Sequence, residues 1–309
     1  MRKIFGLLFL LGLMTALPAG AADLYQQNLS QWKGQVKEIT GREYKFLVAP
    51  EKVNADVTEA FREIWNQTKA VADSLHIVMT EKKKDPFALA PTIKTYFDTP
   101  DLALWKKGYL IRVTTNYQRG YPASPVRVSV KSLNGPFAKV FAARLETKGV
   151  KSKTTVEDNI GIGKGGQLVS YLDKSANFSL TRGELGDMNL ADFGAYVPEL
   201  LRLGLPADTK LTAHVAYGVR CRPGHMELPG LDRPLSVSME AWSRTEGGAP
   251  FVYDFSFGYD GDFSRQIEAH KAGEKLMQAL NARLGEKLAM KDVHRWLGSK
   301  VRVLLDQPL

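Results

Sequence analysis

Seven short stretches carry ionisable side chains at alternate positions with apolar residues between them. Arg127, Ser129 and Lys131 alternate with Val128 and Val130, Arg112 and Thr114 with Ile111 and Val113, and Arg220 and Arg222 with Val219 and Cys221. Arg144, Glu146 and Lys148 share one parity of the run from Phe141 to Lys148, and Glu43 and Lys45 alternate with Tyr44 and Phe46. Two late runs, 236–240 and 253–257, put Glu240 and Asp254 on their polar sides. Successive side chains of a strand point to opposite faces, so each run predicts a strand with one charged and one apolar face. An ordinary sheet with one wet face also alternates in this way. These faces differ in being rich in Arg and skewed in sign: Lys45, Arg112, Arg127, Lys131, Arg144, Lys148, Arg220 and Arg222 outnumber Glu43, Glu146, Glu240 and Asp254. If the sheet closes, such groups line an interior that repels itself unless an anion fills it. A few carboxylates among many cations also suit a divalent ion bridging to phosphate oxygens, because Mg²⁺ takes one or two carboxylates plus substrate oxygens.

The elements that must position these residues are legible in outline. Val57, Phe61, Ile64, Trp65, Thr68, Val71, Ala72 and Leu75 recur at helical spacing, with Asn54 or Asp56 as the cap. A second helical stripe runs through Ile267, Met277, Leu280, Leu284 and Leu288, and a shorter one through Val293, Trp296, Leu297 and Val301. Period-two runs punctuated by Gly, Pro and Asn lie between them, which predicts an α+β fold with a dominant antiparallel sheet or barrel. From about 151 to 208 the pattern weakens and glycines gather at Gly161, Gly163, Gly165 and Gly166, so this segment reads as a loop-rich insertion carrying one or two short helices. Those glycines lack the spacing and the Lys-Ser/Thr of a nucleotide-binding loop.

Length and charge narrow the classes. The 309 residues hold 42 Lys and Arg against 33 Asp and Glu, with 44% hydrophobic residues and one Cys, which excludes a disordered chain and a disulfide scaffold. Arg2 and Lys3, an apolar run from Ile4 to Leu17, and the small residues from Ala19 to Ala22 have the order of a secretory signal peptide. Cleavage after Ala21 or Ala22 removes two cations, so the formal +9 becomes +7. No second long apolar run follows, so the expected product is exported, with a bacterial periplasm as its compartment and no integral span after cleavage. Nucleic acid is not expected as a partner, because the aromatics sit on the apolar faces and offer no stacking platform. The five His residues lack metal-ligand spacing, although His214 shares the parity of Arg220 and Arg222.

The stretch Tyr96-Phe97-Asp98-Thr99-Pro100-Asp101-Leu102-Ala103-Leu104-Trp105-Lys106-Lys107-Gly108-Tyr109-Leu110-Ile111-Arg112-Val113 resembles a signature segment of the CYTH family, the triphosphate tunnel metalloenzymes, and the order of the other runs fits over most of residues 40–290. The inorganic triphosphatase branch looks nearest. The resemblance implies an antiparallel barrel flanked by helices, a tunnel domain over 23–290 after a signal peptide of residues 1–22, and a C-terminal helical extension over 291–309. It also implies a small phosphorylated anion held by Lys45, Arg112, Arg127, Lys131, Arg144, and Arg220 or Arg222. Glu43, Glu146, Glu240 and Asp254 would hold Mg²⁺ or Mn²⁺, with Glu43 and Glu146 as the catalytic carboxylates. The metal would polarise the scissile phosphoryl group and the cations would offset the phosphate charge. Gly41 stands where the family's first Glu belongs, Lys148 where a third acid often lies, and Asp254-Phe255-Ser256 where Glu-x-Glu is usual; each change removes negative charge from the metal side. The expectation is therefore an exported tunnel protein that binds a triphosphate or polyphosphate-type anion, with metal-dependent hydrolysis as its chemistry where the carboxylates suffice. The alternative is a non-catalytic envelope protein that holds another anionic ligand in a degenerate tunnel. Asp98 is read as a turn residue bonding its own backbone, without a catalytic role.

Overall fold

A computed structural model describes residues 24–307; the expected signal peptide lies outside them. The strands are β1 (Gly41–Val48), β2 (Val78–Glu81), β3 (Ala90–Asp98), β4 (Tyr109–Gln118), β5 (Tyr121–Pro122), β6 (Val126–Ser132), β7 (Ser152–Ile162), β8 (Leu168–Leu180), β9 (Thr212–Cys221), β10 (Gly224–Glu227), β11 (Leu235–Ser243) and β12 (Pro250–Asp260). The helices are α1 (Leu24–Trp32), α2 (Val57–Asp73), α3 (Ala103–Lys106), α4 (Phe137–Ala142), α5 (Leu190–Tyr196), α6 (Ile267–Leu288), α7 (Val293–Trp296) and α8 (Lys300–Leu305).

Strands β12, β1, β7, β8, β6, β4, β3, β9 and β11 pair in that order, and β11 pairs back to β12, so the sheet closes into a barrel. Every neighbouring pair is antiparallel except β1 with β7, which run parallel, so the expected antiparallel barrel is mixed at one seam. Each strand turns its apolar parity outward. Tyr44, Phe46, Phe255 and Phe257 pack with residues of α2 and α6 in one core, and Val128, Val130, Ile111 and Phe178 pack with α5 in another. Most of the core therefore lies between the outside of the barrel and its helices, and the polar parity is left inside, joined at one end by Leu47, Tyr96, Leu110, Trp242 and Val252.

The seam is tied by charge. Arg42, on the outer parity of β1, is buried, with Nε 2.7 Å from Asp158 of β7 and a terminal nitrogen 2.7 Å from Glu274 of α6. One guanidinium thus joins the two parallel strands to the helix that covers them. Asp56 caps α2 by accepting from the Glu59 N–H at 3.0 Å. Asp98 accepts from the backbone N–H groups of Thr99, Leu104 and Trp105 at 2.7 to 2.8 Å, which makes it the turn-holding residue expected.

Segment 151–208 is not loop-rich, because its first thirty residues form β7 and β8, of 11 and 13 residues, in the middle of the sheet. Its polarity misleads for a physical reason: the inward positions Thr155, Asn159, Ser175 and Asn177 are polar, and the outward positions include the buried Asp158. The glycines serve the connection, where Gly165 and Gly166 take left-handed φ values of 70° and 79°. The C-terminal extension closes one end of the barrel. Trp296, Leu304 and Leu305 pack with Leu47, Trp105, Leu110 and Trp242. No helix among the described residues is long and apolar enough to cross a membrane.

Candidate functional site

Inward side chains from all nine barrel strands surround a cavity of about 540 Å³. Nine cations line it, namely Lys45, Lys94, Arg112, Arg127, Lys131, Lys153, Arg220, Arg222 and Lys300, against the acids Glu43, Glu157, Asp173, Glu240 and Asp254. Strand register sets the order along the axis. Arg220 lies opposite Ala90, Thr114 opposite Arg127, Arg127 opposite Ser179, and Ser152 opposite Phe178, so one rim collects Arg127, Lys153, Arg220 and Arg222. That rim is the mouth, where Arg127, Lys153 and Arg222 are exposed. The far end lies under α8.

Deep in the barrel Glu43, Asp173, Glu240 and Asp254 each already hold a cation, whereas Glu157 makes no ion pair among the described residues. Lys45 lies 2.7 Å from Glu43 and donates to Asn159 at 2.8 Å, and Asn159 in turn donates to Asp173 at 3.0 Å. Lys131 sits 2.9 Å from Asp173. Glu240 is shared between Lys94 and Lys300, the latter 3.3 Å away, and Lys300 also pairs with Asp254. Burial alone would push the Glu43 and Glu240 carboxyls up, but the neighbouring ammonium groups hold both below their ordinary values. Burial and the nearby Asp173 push Glu157 up.

The outer cations differ. Arg112, Arg127, Arg220, Arg222 and Lys153 make no ion pair among the described residues. Arg112 donates to Ser129 at 3.2 Å, while its buried Nε has no partner. Partial desolvation, and then the charges of Arg112 and Arg220, push the Arg127 guanidinium down, as expected for cations that face one another across a lumen. Such a cluster stores repulsion that a bound anion relieves.

Lys94 makes this site pH-sensitive. Burial pushes its ammonium down to about 8 against the pull of Glu240, with Lys300 and Arg112 adding to the effect. Above that value the folded chain holds fewer protons than the unfolded one, where lysine stays charged to about pH 10.4. The contribution of Lys94 to stability therefore rises with pH across this window. Anion binding moves the other way. Tripolyphosphate affinity is expected to fall about three- to tenfold between about pH 7 and 9 relative to a Lys94→Met variant titrated in parallel; parallel curves for the two proteins would refute the assignment.

Most of the sequence-derived set meets in this cavity: Glu43, Lys45, Arg112, Arg127, Lys131, Arg220, Arg222, Glu240 and Asp254. Arg144 and Glu146 do not. They are exposed on a non-strand segment after α4, whose Ala143 and Leu145 pack against the outer core and whose Lys148 N–H bonds to Tyr196 of α5. The alternation there is real, but its charged parity faces solvent rather than the lumen. Glu146→Gln and Arg144→Ala are accordingly expected to change anion affinity less than about twofold in a calorimetric titration. His214 does not line the cavity. The parity rule, applied to β3, β7 and β8, would have found Lys94, Lys153, Glu157 and Asp173. Nothing in the pattern marks Lys300, which arrives on a helix.

The expected metal also meets a different arrangement. Among the described residues no three His, Cys, Asp or Glu side chains converge on a common point. Glu146 lies outside, Glu43 is taken by Lys45, and Glu240 and Asp254 by Lys94 and Lys300. The three expected ligands that line the cavity do not fit Mg²⁺ or Mn²⁺, because an ammonium stands on each of them.

No family model and no curated protein matches the chain. Among solved structures it is similar to a putative adenylyl cyclase from Hippeastrum, described as having a dominant triphosphatase activity, at 13% identity and a TM-score of 0.41, over 88% of this chain and 97% of that one. A putative adenylate cyclase from Bacillus halodurans is similar at 14% identity and a TM-score of 0.37, over 77% and 90% of the two chains. A Pyrococcus horikoshii protein is similar at 12% identity and a TM-score of 0.36, over 86% and 99%. Likenesses of this size describe an outline and say nothing of ligand or reaction.

Proposed function

We propose that this chain is an exported anion-binding protein whose barrel takes a linear triphosphate or polyphosphate-type anion through its basic mouth. The observation that carries this reading is the set of five cations without ion-pair partners, Arg112, Arg127, Lys153, Arg220 and Arg222, converging on one cavity. A linear polyanion matches a lumen in which positive groups come from several strands, and guanidinium groups suit phosphate oxygens by their paired donors. The CYTH-like segment from Tyr96 to Val113 supports the same ligand class. The test is calorimetric titration of tripolyphosphate into the chain beginning at Asp23, at near-physiological salt. Saturable one-to-one binding is expected, and no binding would sink the reading. Export rests on the first 22 residues and predicts a secreted product whose mass begins at Ala22 or Asp23.

Metal-dependent hydrolysis of the same anion is the second reading, favoured by the sequence resemblance. It requires that carboxylates now held by lysines be released to a metal. Phosphate release from tripolyphosphate, with Mg²⁺ or Mn²⁺ against chelator, separates the two readings; release above the protein-free rate would establish the second.

A further inference from the structure

The residues after α7 bring a cation into the barrel from its closed end. Gly298 turns the chain with φ of 73°, so close to β1 that a Cβ there would stand 2.8 Å from the Lys45 carbonyl oxygen. Two residues later α8 begins with Lys300, while Leu304 and Leu305 anchor the helix over the end of the barrel. Below it Glu240 and Asp254 are directly opposed across β11 and β12. Two buried carboxylates in that register repel unless a cation lies between them. Lys94 donates to Glu240 Oε1, and the cation between the two acids is the Lys300 ammonium, which pairs with Asp254 Oδ2 and stands 3.3 Å from Glu240 Oε2. Asp254 is 2% exposed, and its second oxygen, Oδ1, has no hydrogen-bond partner. An unsatisfied buried carboxylate oxygen beside a second carboxylate is a feature of an unfinished cation site.

We propose that Lys300 is a chain-supplied cation standing where a divalent ion would sit between Glu240 and Asp254, so that the barrel holds its anion without metal and a divalent site opens only when this ammonium is removed. The consequence for anion binding rests on the reading above; the opening of a metal site does not. A tethered ammonium neutralises the carboxylates as an ion would, but it has no vacant coordination position with which to polarise a phosphoryl oxygen or hold a water.

The test reads free Mn²⁺ by electron paramagnetic resonance in the protein alone, with no phosphate present. Wild type is expected to show no stoichiometric binding, Lys300→Met to take up about one Mn²⁺ per chain, and Lys300→Met with Asp254→Asn to lose at least about tenfold in affinity against Lys300→Met. Uptake by wild type equal to that of Lys300→Met overturns the proposal, as does the absence of uptake by the variant. Should Lys300→Met not fold, Lys300→Gln, which keeps a donor to Asp254, decides by the same outcomes. A wild-type arm needs no variant: tripolyphosphate affinity is expected to stay within about twofold in excess chelator, and a loss of about tenfold overturns the proposal. If tripolyphosphate does not bind at all, the anion-binding reading fails while the Mn²⁺ arms still decide the role of Lys300.

Discussion

Replacing Arg127 and Arg220 together by Ala is expected to weaken tripolyphosphate binding by at least about a hundredfold. A hydrogen bond to a charged group contributes about 1.5–3 kcal/mol net, so two such contacts correspond to roughly 3–6 kcal/mol, or two to four decades in affinity. Neither guanidinium holds a carboxylate among the described residues, so neither loss strands a buried acid. Desolvation and the charges of Arg112 and Arg220 hold the Arg127 guanidinium down, against the smaller pull of Glu157 and Glu240, so its removal costs little. The double variant should therefore melt no lower than wild type while losing its ligand. A general packing defect would lower both. Wild-type affinity should fall steeply with salt, and the variant's residual affinity less so, because two of the screened attractions are gone. Retention of affinity within about tenfold would mean that the anion is not held at this mouth.

The largest effect on stability is expected from Arg42→Met. Arg42 and Asp158 have no exposed side-chain surface, and the Glu274 side chain is 7% exposed. Removing the guanidinium leaves the Asp158 carboxylate buried beside β1 without its counter-ion and takes from Glu274 a partner at 2.7 Å. Breaking one side of a buried pair typically costs about 3–5 kcal/mol, a large share of the roughly 5–15 kcal/mol that holds a domain folded. Urea unfolding should show a lower midpoint with little change in slope. Arg42→Met combined with Asp158→Asn should recover part of the loss, because the stranded charge is gone; strictly additive losses would show that the two residues do not act as a pair. The effect is structural and leaves the lumen untouched, since Arg42 points out of the barrel toward α6.

Arg42 and Arg144 show where sequence reasoning holds and where it stops. Arg42 and Glu43 are neighbours, and alternation alone puts them on opposite faces. It correctly placed Glu43 and Lys45 with Arg112, Arg127, Lys131, Arg220 and Arg222 inside. It could not say that the outward Arg42 would be buried, because that depends on α6 arriving from more than two hundred residues away with Glu274. The same limit explains Arg144 and Glu146. Their segment alternates as cleanly as any strand, since it too lays an apolar side on a core, but it has no strand partner and its charged side faces water. β7 and β8 failed in the opposite sense, because buried Asp158 and inward Thr, Ser and Asn residues hide the period.

What the sequence determined by itself is the parity of each strand run, the two long helices with their apolar stripes, and an excess of cations on the faces that share the lumen. All of these follow from side-chain direction along one element, which is local geometry. Only the tertiary structure decided that the sheet closes through a parallel seam, which end is the mouth, which acids are already neutralised, and that Lys300 enters from the far end. These are meetings between elements distant in the chain, and the energies that select them, burial and charge pairing, depend on partners that no local pattern names.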